Sequence, residues 1–234
     1  MPKLQKILLV HGAWADGSSW AKVIVRLQAQ AFDVVSVQIP LTSFEDDVNT
    51  VQRALGIEEG PLLLVAHSYG GGVITEAGNS PKVAGLVYIA AFAPDTGESM
   101  ESLLATAPPT AVGAEVRPDA QGFLKVTAAG MAREVGPDLP DSEAKLLFAT
   151  QTPTSFTCIS GAVTSPAWKT RPNWFLIVTG DRIIPTVLQA RMSEKIKAAT
   201  KSVDASHVVL VSRPGDVAEF IMQAATVSLN SSFE

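Results

Sequence analysis

Short, nearly unbroken apolar runs recur along the chain at Ile7–Val10, Val34–Ile39, Leu62–Ala66, Leu86–Ala91 and Trp174–Val178. Such runs fit parallel strands covered on both faces, because a strand with one wet face alternates instead. Between them the spacing changes to that of a helix. Trp20, Val23, Ile24 and Leu27 form one stripe, and Ser43 followed by Asp46 predicts a capping box that opens a helix over about Phe44–Leu55. A third helix is expected from Tyr69 to the glycine stop at Gly78-Asn79. Leu188, Met192 and Ile196 align after Pro185, and Val217, Phe220, Ile221 and Ala224 align after Pro214, a residue suited to a first helical turn. With the short strand-like stretch Ser202-Val203-Asp204, this alternation predicts an α/β fold. Its core is a doubly wound, mainly parallel six-stranded sheet.

From Pro94 to about Arg171 the alternation stops. Ala, Pro, Thr and Ser dominate, and weak helices are expected at Glu101–Ala105, Phe123–Glu134 and Ser142–Thr150. The stretch is too long for a loop and too short for a core of its own. It reads as a small helical cap, about 94–171, inserted over one edge of the sheet in a single domain spanning 1–234.

Composition narrows the function. An apolar fraction of 47% with 18% charged residues excludes a disordered chain. A net charge of −5 without a basic block argues against nucleic acid as a partner. The longest apolar run, Val83–Ala93, is too short to cross a bilayer, and Ile7–Val10 is too short for a signal-peptide core, so a cytoplasmic protein is expected. Cys158 stands alone, and the three histidines show no metal-ligand spacing. Neither a metal nor a cofactor is expected. The pattern carries no signature of a particular oligomeric state.

The strongest chemical signal is Leu62-Leu63-Leu64-Val65-Ala66-His67-Ser68-Tyr69-Gly70-Gly71-Gly72. A buried strand runs into a serine flanked two positions away by small residues, and a helix follows at once. That is the pattern of a nucleophile elbow, which lifts the Ser68 hydroxyl clear of the sheet at a helix amino end. A serine nucleophile needs a base. His67 is its neighbour in a tight turn, and His11 ends the first strand, which leaves His207. The orienting carboxylate is expected to be Asp181, after the strand Trp174–Val178, with Asp95 as its main rival and Asp204 behind both. Oxyanion donors are expected from the backbone N–H groups of Tyr69 and Ala13, the latter on the loop Val10-His11-Gly12-Ala13-Trp14.

These segments, with Ser19-Trp20, Asp181-Arg182-Ile183-Ile184-Pro185 and Asp204-Ala205-Ser206-His207, resemble the compact α/β-hydrolases. They are most similar to the group of salicylate-binding-type methylesterases and hydroxynitrile lyases. The resemblance covers nearly the whole chain and includes the order Ser68, Asp181, His207. It implies a Ser-His-Asp triad, an Ala13/Tyr69 oxyanion hole and a small cap over an acyl pocket. Ala66 departs from the pattern, standing where glycine is commoner. Lyases of the group resemble one another in a threonine at the place of Gly12 and a lysine after the base. Here Val208 follows His207, so the esterase pattern is favoured. The resulting expectation is a serine carboxylesterase for small, fairly apolar esters, including methyl esters or lactones. Gly12, Trp14, Phe92, Phe123 and Trp168 are the expected substrate contacts. The alternatives are C–C or C–CN cleavage, cofactor-free oxygenation, or a non-catalytic receptor for a small ligand.

Overall fold

A computed structural model of the chain describes residues 6–227. Its first part alternates strand and helix: β1 (Lys6–Val10), α1 (Ala21–Gln28), β2 (Asp33–Val37), α2 (Phe44–Ile57), β3 (Leu62–His67), α3 (Gly70–Ala77) and β4 (Val83–Ile89). The segment that follows holds α4 (Met100–Leu104), β5 (Val116–Pro118), β6 (Phe123–Val126), α5 (Ala128–Gly130), α6 (Asp141–Thr150), β7 (Thr154–Ser155) and α7 (Phe156–Ser160). The chain then returns to the sheet with β8 (Asn173–Val178), α8 (Thr186–Lys195), β9 (Ala199–Val203), α9 (Val209–Ser212) and α10 (Pro214–Val227).

The six strands β2-β1-β3-β4-β8-β9 form one sheet in that order, each pair parallel. All six residues of β3 are buried, so helices cover both of its faces, as its unbroken apolar run requires. The chain leaves β1 outward to β2, then returns to the other side of β1 at β3. The loops after β1 and β3 therefore diverge and open a crevice at the carboxyl ends of the strands.

Helix α2 starts where Ser43 predicts, with the Ser43 hydroxyl accepting from Asp46 N–H at 3.0 Å. The reciprocal arm of the box is not made, because the Asp46 carboxylate takes the Thr42 hydroxyl instead. The segment between β4 and β8 departs further from the sequence reading. Phe123–Val126 is a strand in a small antiparallel sheet, β5-β6-β7, and not the start of a helix. The cause is local. Asp119 accepts from the N–H groups of Gln121 and Phe123, and Gly122 takes φ +83°, which folds the chain back into a hairpin. Helical structure begins only after Thr127, whose hydroxyl caps Gly130 N–H, and continues through a π turn at Met131–Val135.

Candidate active site

Register fixes the first half of the site. Val10 pairs with Ala66, so the loop His11-Gly12-Ala13-Trp14 runs beside His67-Ser68-Tyr69. Ser68 sits at φ +54°, a left-handed conformation unusual for a residue with a side chain. Three backbone bonds hold it there: Ser68 N–H donates to Ile89 O, and Gly71 and Phe92 N–H donate to Ser68 O. The turn is so close to the β1 loop that a Cβ on Gly70 would lie 2.6 Å from His11 O, and one on Gly12 would lie 2.8 Å from Ser68 Cβ.

The second half comes from β8 and β9, where Val178 pairs with Val203 and Gly180 N–H reaches Ala205 O. The loops beyond bring Asp181 and His207 together, and the topology carries them to Ser68. His207 Nε2 lies 2.8 Å from Ser68 Oγ, and His207 Nδ1 lies 2.8 Å from Asp181 Oδ2. With Nδ1–H donating to the carboxylate, the Nε2 lone pair accepts the Ser68 hydroxyl proton. The Asp181 side chain is fully buried, yet every lone pair is used. Its Oδ1 accepts from Ile183 and Ile184 N–H at 2.7 and 3.0 Å, and its Oδ2 also accepts from Gln189 Nε2 at 2.8 Å. Gln189 further donates to Ile184 O and accepts from Val178 N–H, locking the loop from inside α8. Sequence reasoning missed it, although a glutamine beside Leu188 in a buried helical stripe is the available signal.

The rival carboxylates are elsewhere. Asp95 pairs with Lys169 at 2.6 Å, and that partner holds its carboxyl below the usual range. Asp204 accepts from the Thr179 hydroxyl at the surface. Neither touches His207. His11 has an internal role: its Nδ1–H donates to Gly12 O at 2.9 Å and its Nε2 accepts from Ile39 N–H at 3.2 Å. Burial lowers its pKa. His67 Nε2 donates to the carbonyl of His207 at 2.9 Å, leaving a buried Nδ1 without a partner among the described residues. Burial, then the neighbouring His207, hold its pKa well below the ordinary value.

The backbone N–H groups of Ala13 and Tyr69 make no hydrogen bond among the described residues. Ala13 also lines a cavity of about 30 Å³, with Trp14, His67, His207 and Val208 in its wall and Met131, Val135 and Leu147 contributed by the inserted segment; Ser68 and Tyr69 are not in that wall. Of the expected substrate contacts, Trp14 lines this cavity. Gly12 lies beneath the Ser68 Cβ, and Phe92 is buried behind the elbow with its N–H on Ser68 O. Phe123 is engaged in β6 opposite Ser155, and the Trp168 indole donates to Pro94 O on another flank. Neither belongs to the cavity wall. A larger cleft of about 490 Å³ lies between α4 and α8, at Ser102, Leu103, Arg191 and Met192, and contains none of the expected catalytic residues. No three His, Cys, Asp or Glu side chains come together as metal ligands among the described residues.

Comparison with known proteins agrees with the fold. The sequence profile described as the alpha/beta hydrolase family matches residues 7–220. The chain is 31% identical over 126 residues to a carbendazim hydrolyzing esterase of Nocardioides sp. (strain SG-4G), a match to 48% of this chain and 52% of the relative. It thus spans about half the length of that relative. A provisionally named methylesterase 19 of Arabidopsis thaliana is 26% identical over 249 residues, covering 92% of this chain and 94% of its own. The structure of a pyrethroid hydrolase from Sphingobium faniae JZ-2 superposes with a TM-score of 0.79 at 23% identity, covering 94% of this chain and 97% of the other.

Proposed function

The chain belongs to the alpha/beta hydrolase family, and from that premise we propose that it is a serine carboxylesterase for small, fairly apolar esters. The observation that carries the reading is the unbroken relay from Ser68 Oγ through His207 to Asp181, with 2.8 Å at each step. His207 Nε2 removes the hydroxyl proton as Ser68 Oγ attacks the ester carbonyl. Asp181 holds the ring in the tautomer that keeps Nε2 free and stabilises the imidazolium that forms. The Ala13 and Tyr69 N–H groups take the oxyanion, His207 returns the proton to the leaving alcohol, and water then cleaves the acyl-enzyme by the same steps.

The segment 94–171 serves as a cap in this reading. Its Met131, Val135 and Leu147 supply apolar wall, and the narrow cavity favours a short acyl group. Methyl esters and other small alkyl esters are the substrate class that the esterase and methylesterase names of the relatives support. Lactones fit the same chemistry. Cyanohydrin cleavage is disfavoured, because the residue beside the base is the buried, apolar Val208 and offers no cation to departing cyanide. Gly12 has no room for a threonine without displacing Ser68. The partner is a small-molecule ester. No helix among the described residues is long and apolar enough to cross a membrane.

The test is hydrolysis of p-nitrophenyl acetate beside cleavage of mandelonitrile. We expect ester turnover and background rates with the cyanohydrin. Ser68→Ala and His207→Ala should each remove nearly all turnover, and the double variant should lose no more, because the pair acts as a unit. Rapid mandelonitrile cleavage without esterase turnover would overturn the proposal.

A further inference from the structure

We propose that Thr154 is a positioning residue for acyl transfer, through which the inserted segment aims the backbone donors of the oxyanion hole. The inference rests on the reading above, in which Ala13 and Tyr69 N–H stabilise the oxyanion. Thr154 lies in β7 and is fully buried. Its hydroxyl oxygen accepts from Trp14 N–H at 3.0 Å. Opposite it in β6 is Leu124, whose carbonyl accepts the Trp14 indole N–H at 3.1 Å. Trp14 itself sits at φ +55°, a conformation that a bulky side chain does not hold unaided. Trp14 N–H belongs to the Ala13–Trp14 peptide plane, which is hinged at the Ala13 Cα to the Gly12–Ala13 plane that carries the donor. A shift at Trp14 thus turns the Ala13 dihedrals and re-aims its N–H. Two bonds from the inserted sheet therefore fix the loop that carries the first donor.

Four residues on, the same segment reaches the side chain of Tyr69, the residue that carries the second donor. The Cys158 thiol lies 3.6 Å from Asp47 Oδ2, which also accepts the Tyr69 hydroxyl at 2.6 Å. Asp47 Oδ1 accepts Leu41 N–H, and Leu41 O in turn accepts Ser155 N–H. Residues 154–158 thus join Trp14, Leu41 and, through Asp47, Tyr69. Asp47 is fully buried among α2, the elbow and α7. An apolar seam would fasten the segment to the sheet without burying a carboxylate, a thiol and a hydroxyl. These groups instead converge on the two residues whose N–H groups face the attack site. The donors are correctly aimed when the segment is seated, and the seat of the cap is coupled to the chemistry.

The test compares Thr154→Val, which removes the hydroxyl at nearly constant shape, with Thr154→Ser, which keeps it. For each, kcat and KM for p-nitrophenyl acetate are measured, with the affinity for a trifluoromethyl ketone that forms an oxyanion on Ser68. Loss of a whole donor costs roughly 10²–10³ in kcat, so re-aiming one should cost about 10-fold or more. We expect Thr154→Val to lose kcat and ketone affinity in parallel with KM little changed, and Thr154→Ser to restore both. Wild-type kcat in Thr154→Val, a kcat loss without a loss of ketone affinity, or failure of serine to rescue would overturn the proposal. Should Thr154→Val not fold, Tyr69→Phe, which cuts the bond to Asp47, is read in the same way. Ser68→Ala in the same assay separates the two levels. Hydrolysis surviving there brings down the acyl-transfer reading itself, whereas a dead Ser68→Ala beside a normal Thr154→Val overturns the positioning role alone.

Discussion

Asp181 and Asp95 looked alike along the chain, each a carboxylate shortly after a buried strand, and their surroundings separate them. Asp181 has four donors and no exposure, one of them the ring that faces Ser68. Asp95 has the Lys169 ammonium, the Thr96 N–H and partial exposure to solvent. Asp181→Asn should therefore lower kcat by up to ~10⁴, the scale on which a triad loses its carboxylate. Asp95→Asn should leave it within about twofold, since it loses only a partly exposed pair. Steady-state kinetics of the two purified variants decide this, and the reverse ranking would contradict the assignment. His11 makes a different prediction. Its Nε2 accepts Ile39 N–H, so a proton there breaks a buried bond, and burial sets its pKa below the ordinary 6.5. The unfolded chain then binds the proton more readily than the folded one. The contribution of His11 is full above about pH 6.5 and is lost as pH falls toward the folded-state value. Thermal melting from pH 7.5 to 5 should show a steeper acid loss for the wild type than for His11→Gln. Equal slopes would contradict it.

The inserted segment is where element-scale reasoning gained least from sequence. A two-residue strand such as β7 has no period to detect, and the β5–β6 hairpin depends on the Asp119–Gly122 turn more than on its strands. The helix around Ser142–Thr150 was legible and appears as α6. That Leu147 shares a cavity wall with His207 was not, because it follows from how the segment folds back on the sheet. Phe123 and Trp168 have the aromatic character of an apolar pocket, but the same fold-back takes them away from the cavity. Leu147 and Met131 close a space of about 30 Å³, far below the size of a typical ligand pocket. Leu147→Ala should therefore widen acyl acceptance. Relative to acetate, p-nitrophenyl hexanoate should gain about 10-fold or more in kcat/KM, since even one methylene newly accommodated in a fitted pocket is worth about 1–3 kcal/mol. An unchanged acyl-length profile would remove Leu147 from the acyl wall.

At the scale of the molecule, the sheet and its chemistry are one design. Continuous apolar runs dictated parallel strands, and parallel strands dictated crossovers whose loops gather at the carboxyl edge. The switch between β1 and β3 opens the crevice, the turn after β3 fills it with Ser68, and the loops after β8 and β9 bring Asp181 and His207 to it. The meeting of Ser68, Asp181 and His207 was legible because each follows a recognisable strand. The contacts of Gln189, Thr154 and Asp47 were not, since they join distant segments and no local pattern encodes them. The central claim is that an ester's acyl group passes through Ser68. Rapid acid quenching during turnover of p-nitrophenyl butyrate, followed by peptide mass spectrometry, tests it directly. The account predicts a butyryl group on the peptide carrying Ser68, absent from Ser68→Ala. Turnover with no adduct under conditions where release of p-nitrophenol shows a burst, or an adduct on another side chain, would contradict it.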